Sequence, residues 1–334
     1  MPVARKEQVC FQATPYYHVI SRCVRRAFLC GVDSVTGQSY EHRKDWIVER
    51  LTELSGLFAV DVCSYAVMSN HLHLVIRLDP DTAKNWSEEE ILARWERLFS
   101  IPSLVHRYRT GQTTSKAEDQ AARKVIEGWR ERLSDLSWFM RCLNEPIARQ
   151  ANAEDGCTGR FWEGRFKSQA LLDEAALLTC MAYVDLNPIR AAMADSPEES
   201  DFTSIQQRIR EVLALKEKDK APEGPRLFDF AGDERWNSPD GLPSSLDEYM
   251  DLVDWSGRVA KEGKRGAIAG DLPPILERLE IDEEAWIESI QQGQRLQFHH
   301  AVGRASAIKV AAEQFGRAFL KGLGFARTLF PEPA

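Results

Sequence analysis

The stretch Ser69-Asn70-His71-Leu72-His73-Leu74-Val75-Ile76 governs how the rest of the chain is read. It is dominated by apolar and β-branched residues, as a strand requires. Strand side chains alternate between faces, so His71 and His73 leave the same side, roughly 6.5 to 7 Å apart along the backbone. Two imidazoles at that spacing suit one metal ion. They equally suit the wet face of a half-buried strand, and the neighbouring segments must decide.

Working outward, 16–24 (Tyr-Tyr-His-Val-Ile-Ser-Arg-Cys-Val) reads as a first strand, in which His18 is taken for a satisfied sheet residue. Lys44 to Leu57 places Trp46, Ile47, Leu51, Leu54 and Leu57 at helical recurrence. Phe58 to Met68 predicts a second strand and His71 to Leu78 a third, joined as a hairpin through Ser69-Asn70. The order β, α, β, β implies an α+β fold, a sheet with helices on one face. From about 80 to 135 the composition turns polar and helical, with Ser87 heading Glu88, Glu89 and Glu90 in good helix-opening chemistry, and predicts a helical insertion. A further helix is expected over 137–152, kinked or started by Pro146.

In 156–168, Arg160, Arg165 and Lys167 interleave with Phe161, Trp162 and Phe166, leading into a strand at Phe166 to Leu172. Cations alternating with aromatics can grip phosphates and stack exposed bases. The alternative is a strand with one buried aromatic face and one charged wet face. Asp173 or Glu174 then opens a helix through Leu177, Leu178, Met181 and Tyr183 that should stop near Asn187, because Pro188 disfavours helical geometry in the residue before it. Tyr183 and Asn187 share one face of it unless the last turn unwinds.

The bulk properties narrow the class. With 334 residues, 43% of them hydrophobic, the chain exceeds one compact unit, and the charged Lys216 to Arg226 segment reads as a linker between a 1–215 domain and a mainly helical 216–334 region. Seven cysteines without paired spacing suggest reduced thiols, and no uncharged run approaches bilayer length, so a soluble, cytoplasmic protein is expected, with no membrane partner. A net charge of −8 argues against coating nucleic acid non-specifically, so any such contact requires a local basic patch. Gly303 to Thr328, with five Lys and Arg against Glu313, reads first as a solvated helix face and second as a phosphate contact.

His71, His73 and the Asn187 amide together offer three neutral ligands with open positions, able to set a divalent cation on a phosphodiester. Without an evident carboxylate such a site favours exchangeable Mg²⁺ or Mn²⁺ over structural zinc. Tyr183 would be the nucleophile, and its phenol, with an ordinary pKa of about 10, needs help at neutral pH.

Four blocks resemble the single-tyrosine HUH transposases, and most closely the REP-associated tyrosine transposases. They are Tyr17-His18-Val19-Ile20-Ser21-Arg22, Met68-Ser69-Asn70-His71-Leu72-His73-Leu74, Gly159-Arg160-Phe161-Trp162-Glu163-Gly164-Arg165-Phe166-Lys167-Ser168 and Tyr183-Val184-Asp185-Leu186-Asn187-Pro188-Ile189-Arg190-Ala191, in family order. The resemblance covers residues about 14 to 195 and implies a ferredoxin-like antiparallel sheet carrying the histidine pair, with the tyrosine on a neighbouring helix. It implies that His71 and His73 bind the metal, that Asn187 is the third ligand, and that Tyr183 attacks single-stranded or hairpin DNA. The product would be a 5′-phosphotyrosine with a free 3′-hydroxyl, made without ATP. Arg160, Trp162, Arg165, Lys167 and Arg190 are the expected DNA contacts, and the oligomeric state, monomer or homodimer, stays open. The stretch 80–135 is longer than compact members need, and 216–334 has no counterpart. Two other classes fit less of the pattern. One is a non-catalytic hairpin-binding regulator on the same scaffold; the other is a metal-dependent hydrolase, which lacks an obvious carboxylate base.

Overall fold

A computed structural model describes residues 8–24, 29–33, 35–218, 223–232, 241–262, 274–292 and 300–331. Residues 219–222 of the expected linker lie outside the described residues. The chain opens with β1 (Tyr16–Arg22), α1 (Arg43–Leu57), β2 (Val60–Val67) and β3 (His71–Leu78). Four helices follow in the expected insertion: α2 (Pro80–Asn85), α3 (Glu88–Glu96), α4 (Ser103–Arg109) and α5 (Lys116–Leu133). Next come α6 (Leu136–Glu154), β4 (Lys167–Leu171), α7 (Glu174–Asp185), α8 (Asn187–Arg190) and α9 (Ser204–Glu217). The C-terminal part holds α10 (Leu246–Glu262), α11 (Pro274–Arg278), α12 (Glu283–Gln292), β5 (Ala301–Val302), α13 (Ala305–Gln314) and α14 (Leu323–Leu329).

The fold is α+β around one five-stranded mixed sheet in the order β2-β3-β1-β4-β5. The first three neighbour pairs are antiparallel and β4 with β5 is parallel. The Ser69-Asn70 link closes a hairpin in which Met68 N donates to the His71 carbonyl at 2.9 Å. Ser87 and Glu90 form the reciprocal cap of α3. Pro146 sits inside a continuous α6, so it neither starts nor ends the helix. Among the described residues no helix is long and apolar enough to cross a membrane.

Strand alternation sorts the sheet into two apolar layers. Leu72, Leu74 and Ile76 join Tyr17, Val19, helices α1 and α6, and Trp95 and Trp129 of the insertion in one buried cluster. Val75, Ala66 and Met68 face the other cluster, built from α7 and from Tyr249, Leu252, Trp255 and Trp286 of the C-terminal part. A bulge between Val62 and Ser64 changes the register of β2 without losing its pairing. Both faces of the sheet are therefore covered, where the sequence had suggested helices on one.

The C-terminal part holds α7 at both ends. At the start, Asp173 caps the helix by accepting from Ala176 N at 2.9 Å, and its other oxygen accepts from Arg304 N at 2.6 Å. A Cβ on Gly303 would lie 2.8 Å from that oxygen, so this close approach requires glycine. At the end, fully buried Asp185 accepts from the Tyr249 hydroxyl at 2.5 Å, from Ile205 N at 2.9 Å and from the Ser204 hydroxyl. Burial pushes the Asp185 carboxyl up to about 6 despite these donors. Tyr249→Phe leaves one buried carboxylate oxygen without its donor. It should lower the unfolding free energy by about 1 to 3 kcal/mol in urea denaturation.

Candidate active site

The cross-strand register places the polar residues of one sheet face. On β3 these are His71 and His73; Arg22 of β1 lies opposite His71, and Ile20 lies between His73 and Lys167 of β4. Beyond the end of β1 the loop after α6 crosses over, with Val24 N donating to the Phe161 carbonyl and Glu163 N to the Arg22 carbonyl. The result is a cleft of about 290 Å³ lined by Ile20, Arg22, His71, His73, Glu163, Gly164, Arg165 and Lys167.

The histidine rings stand with centroids 4.7 Å apart. His71 is half-buried, with Nδ1 engaged by the Asn70 side chain, whereas His73 is fully buried. Its Nδ1 lies 2.9 Å from His18 Nε2, and His18 Nδ1 lies 3.3 Å from the Gln169 amide oxygen. That oxygen can only accept, so it sets the tautomers in turn: His18 donates from Nδ1, accepts at Nε2 from His73 Nδ1–H, and leaves a lone pair on His73 Nε2. His73 Nε2 is buried with no hydrogen-bond partner, the atom a Lewis acid would take. Burial first, then the charge of Arg22, lowers His71 to about 4. Burial also lowers His18 to about 4 and holds His73 well below its ordinary value, so all three rings are neutral at pH 7.

Tyr183 projects from α7 against this pair, its ring 6.0 Å from that of His73 and 6.2 Å from that of His18. It is fully buried and does not line the cleft, and the Arg190 guanidinium lies 4.5 Å from its ring centroid. The helix does unwind after Tyr183: α7 ends at Asp185 and α8 begins at Asn187 with Pro188 in its first turn. Asn187 is buried, its oxygen accepts from Arg190 at 3.4 Å, and its Nδ2 has no partner. Asn187 is thus joined to the tyrosine through Arg190 and is not hydrogen-bonded to either histidine.

The expected DNA contacts divide. Arg165 and Lys167 line the cleft. Arg160 is exposed beside it, donating to the Glu163 carbonyl at 3.3 Å. Trp162 packs against the core and spends its indole N–H on the Asn144 carbonyl at 2.8 Å, which leaves it a loop anchor in this conformation. Four residues that sequence reasoning gave no role here are Arg22, Glu163, His18 and Gln169. Strand parity from His18 would have put Arg22 on the histidine face, but Glu163 and Gln169 depend on long-range register. Glu163 also supplies the carboxylate that the sequence did not reveal. Among the described residues, no three His, Cys, Asp or Glu side chains form a metal-holding group.

No family model matches the chain, and no curated protein matches it in sequence. A similar solved structure is a REP-associated tyrosine transposase bound to a REP hairpin, 11% identical, with a TM-score of 0.38, covering 71% of this chain and 100% of that one.

Neutral His18 makes the fold acid-sensitive. Its pKa is about 4 folded and 6.5 unfolded, so below pH 6.5 the unfolded chain binds the extra proton and stability falls until about pH 4. The loss is about 3 kcal/mol at most. Raised Asp185 acts in the opposite sense between pH 4 and 6, so the His18 share is read as a difference. In denaturation with EDTA present, wild type should lose more stability between pH 6.5 and 4.5 than His18→Asn.

Proposed function

We propose that this chain cleaves and rejoins single-stranded DNA, at hairpin-forming repeats, by attack of Tyr183 on a phosphodiester. The observation that carries the reading is the meeting of unpartnered His73 Nε2, the Tyr183 ring 6.0 Å away and a cleft lined by Arg22, Arg165 and Lys167. The β1-α1-β2-β3-helices-β4 order, with strands placed 2-3-1-4, supports a ferredoxin-like core for such an enzyme.

His71 and His73 would hold Mg²⁺ or Mn²⁺ through neutral imidazoles. Asn187 would join them if its amide turned its oxygen away from Arg190. The bound ion would polarise the non-bridging phosphate oxygens as a Lewis acid. Arg22, Arg165 and Lys167 would hold the flanking phosphates and set the strand in line. Tyr183 Oη would then form the new bond to phosphorus as the bond to the 3′-oxygen breaks. The phenol gives up its proton, the 3′-oxygen leaves as a hydroxyl, and the linkage keeps its energy for rejoining. Glu163 lines the same cleft, and its carboxylate would accept that proton once the Tyr183 hydroxyl enters. Because Tyr183 is covered by Arg190, attack requires the ring to leave that stack, and product formation should show a conformational step.

Full burial of Tyr183 favours a second reading, a hairpin-binding regulator that never cleaves. The two separate in one assay. Purified protein with Mn²⁺ and hairpin DNA should form a covalent adduct on denaturing gels, lost in Tyr183→Phe and with EDTA. His73→Ala should lower the initial rate at least about 100-fold, and His18→Leu about 10- to 100-fold. Tight binding with no adduct under any divalent ion would instead establish the regulator, and a cleaved strand free of protein would indicate hydrolysis.

A further inference from the structure

Among the described residues, eight buried side-chain nitrogens and oxygens have no hydrogen-bond partner, and three of them belong to residues grouped around the Tyr183 ring: His73 Nε2, Asn187 Nδ2 and Arg190 Nε. Buried polar atoms are ordinarily paired. Such a grouping marks side chains that have a second arrangement, with a partner this one lacks.

Arg190 joins the three. Its guanidinium lies 4.5 Å from the Tyr183 ring centroid, and Nη1 donates to Asn187 Oδ1 at 3.4 Å, long for such a bond. No carboxylate pairs with it among the described residues. Its charge reaches His73: after burial and the neighbouring imidazoles, Arg190 and then Arg22 disfavour protonation of that ring. An arginine side chain carries donors only, so while Arg190 is bonded to the amide the Asn187 oxygen must face it and Nδ2 must face elsewhere. A divalent ion drawn to His73 Nε2 therefore meets two obstacles from one residue. The amide oxygen it could use is held against a guanidinium, and the charge of that guanidinium repels it. A phosphate has the opposite effect, because its oxygens offer the guanidinium a charge-assisted, two-pronged partner that a neutral amide cannot match.

We propose that Arg190 is the positioning residue that makes ion binding conditional on substrate: in the DNA-free protein it withholds Asn187 Oδ1 from the ion, and a substrate phosphate that draws it away releases that oxygen to complete the ligand set. This deepens the proposed reaction and rests on its histidine-held ion. By linkage, ion and phosphate then tighten each other's binding by the same factor. The loaded site assembles only on DNA.

The test titrates the DNA-free full chain with Mn²⁺ and reads the free ion by electron paramagnetic resonance, so no turnover is involved. His73→Ala identifies the ion bound at this site, whose signal it should abolish. Arg190→Met removes the charge and the donors while keeping an unbranched side chain, and should tighten Mn²⁺ binding by about 5- to 150-fold. Asn187→Ala should change wild-type affinity by less than about twofold, because its oxygen is withheld, yet cancel most of the gain in the Arg190→Met background. Arg22→Met removes a second charge felt at His73, and any gain there should be indifferent to Asn187→Ala, which separates the contact from a general field. Unchanged or weaker binding by Arg190→Met, an equal loss from Asn187→Ala in both backgrounds, or Mn²⁺ binding that survives His73→Ala in full would overturn the proposal. Should Arg190→Met lose its cooperative urea transition, Asn187→Ala in the wild-type background decides alone: a loss of about tenfold or more means that the oxygen already serves the ion and sinks the idea, and an unchanged affinity supports it. The adduct assay keeps this apart from the proposed reaction. Adduct formation with unchanged Arg190→Met affinity keeps the chemistry and removes the role of Arg190; the expected affinity pattern in a protein that forms no adduct does the reverse.

Discussion

A sheet covered on both faces is the constraint from which the rest follows. Once α7 and the C-terminal helices lie over the face carrying His71 and His73, any polar atom there must be satisfied or used. His18 and Gln169 satisfy one nitrogen of His73 and thereby leave the other free. The same burial keeps the imidazoles neutral, the form in which they can act as ligands. Arg22, Arg165 and Lys167 gather at that cleft, so a chain of net negative charge can still present a locally positive site.

Much of this was legible in the sequence for physical reasons. Period-two alternation in 71–78 fixed the shared face of the histidines, and the hairpin and four sheet strands followed from β-branched runs bounded by short links. Pro188 marked where α7 gives way to α8. What could not be read was long-range. Nothing local in Gln169 says that its amide reaches His18 across the β1–β4 register. Nothing in Trp162 says that its N–H is taken by Asn144, eighteen residues back in the chain. The return of the chain was likewise out of reach: directly after the charged 216–226 segment, Leu227 pairs with Val62 on the edge of the sheet.

That return of the chain matters for the site. The segment from Asp173 to Arg190 carries the proposed nucleophile and the proposed third ligand, and the C-terminal part holds it at each end. Arg304 N meets the Asp173 cap and Tyr249 meets Asp185, two residues from both Tyr183 and Asn187. Near the α7–α8 junction, a Cβ on Gly257 would come within 3.3 Å of Ile189 and 3.4 Å of Leu186, so α10 already packs there in close contact.

These restraints set which motions are cheap. Moving α7 as a body would break the buried Asp185 contacts and open the apolar layer beneath Trp255, costing several kcal/mol by the usual scale of buried polar and cavity losses. Turning the Tyr183 side chain leaves the α7 backbone in place, but the fully buried ring must give up its packing, and the half-exposed Arg190, hydrogen-bonded to Asn187, must slide off it. Release of Arg190 from Asn187 also frees the amide oxygen that the ion would need. Uncovering the proposed nucleophile and completing the proposed ligand set would therefore be one side-chain rearrangement. In the proposed reaction a phosphate held in the cleft by Arg22 and Lys167 would compete for that guanidinium, and its binding would supply the difference in affinity that drives the change.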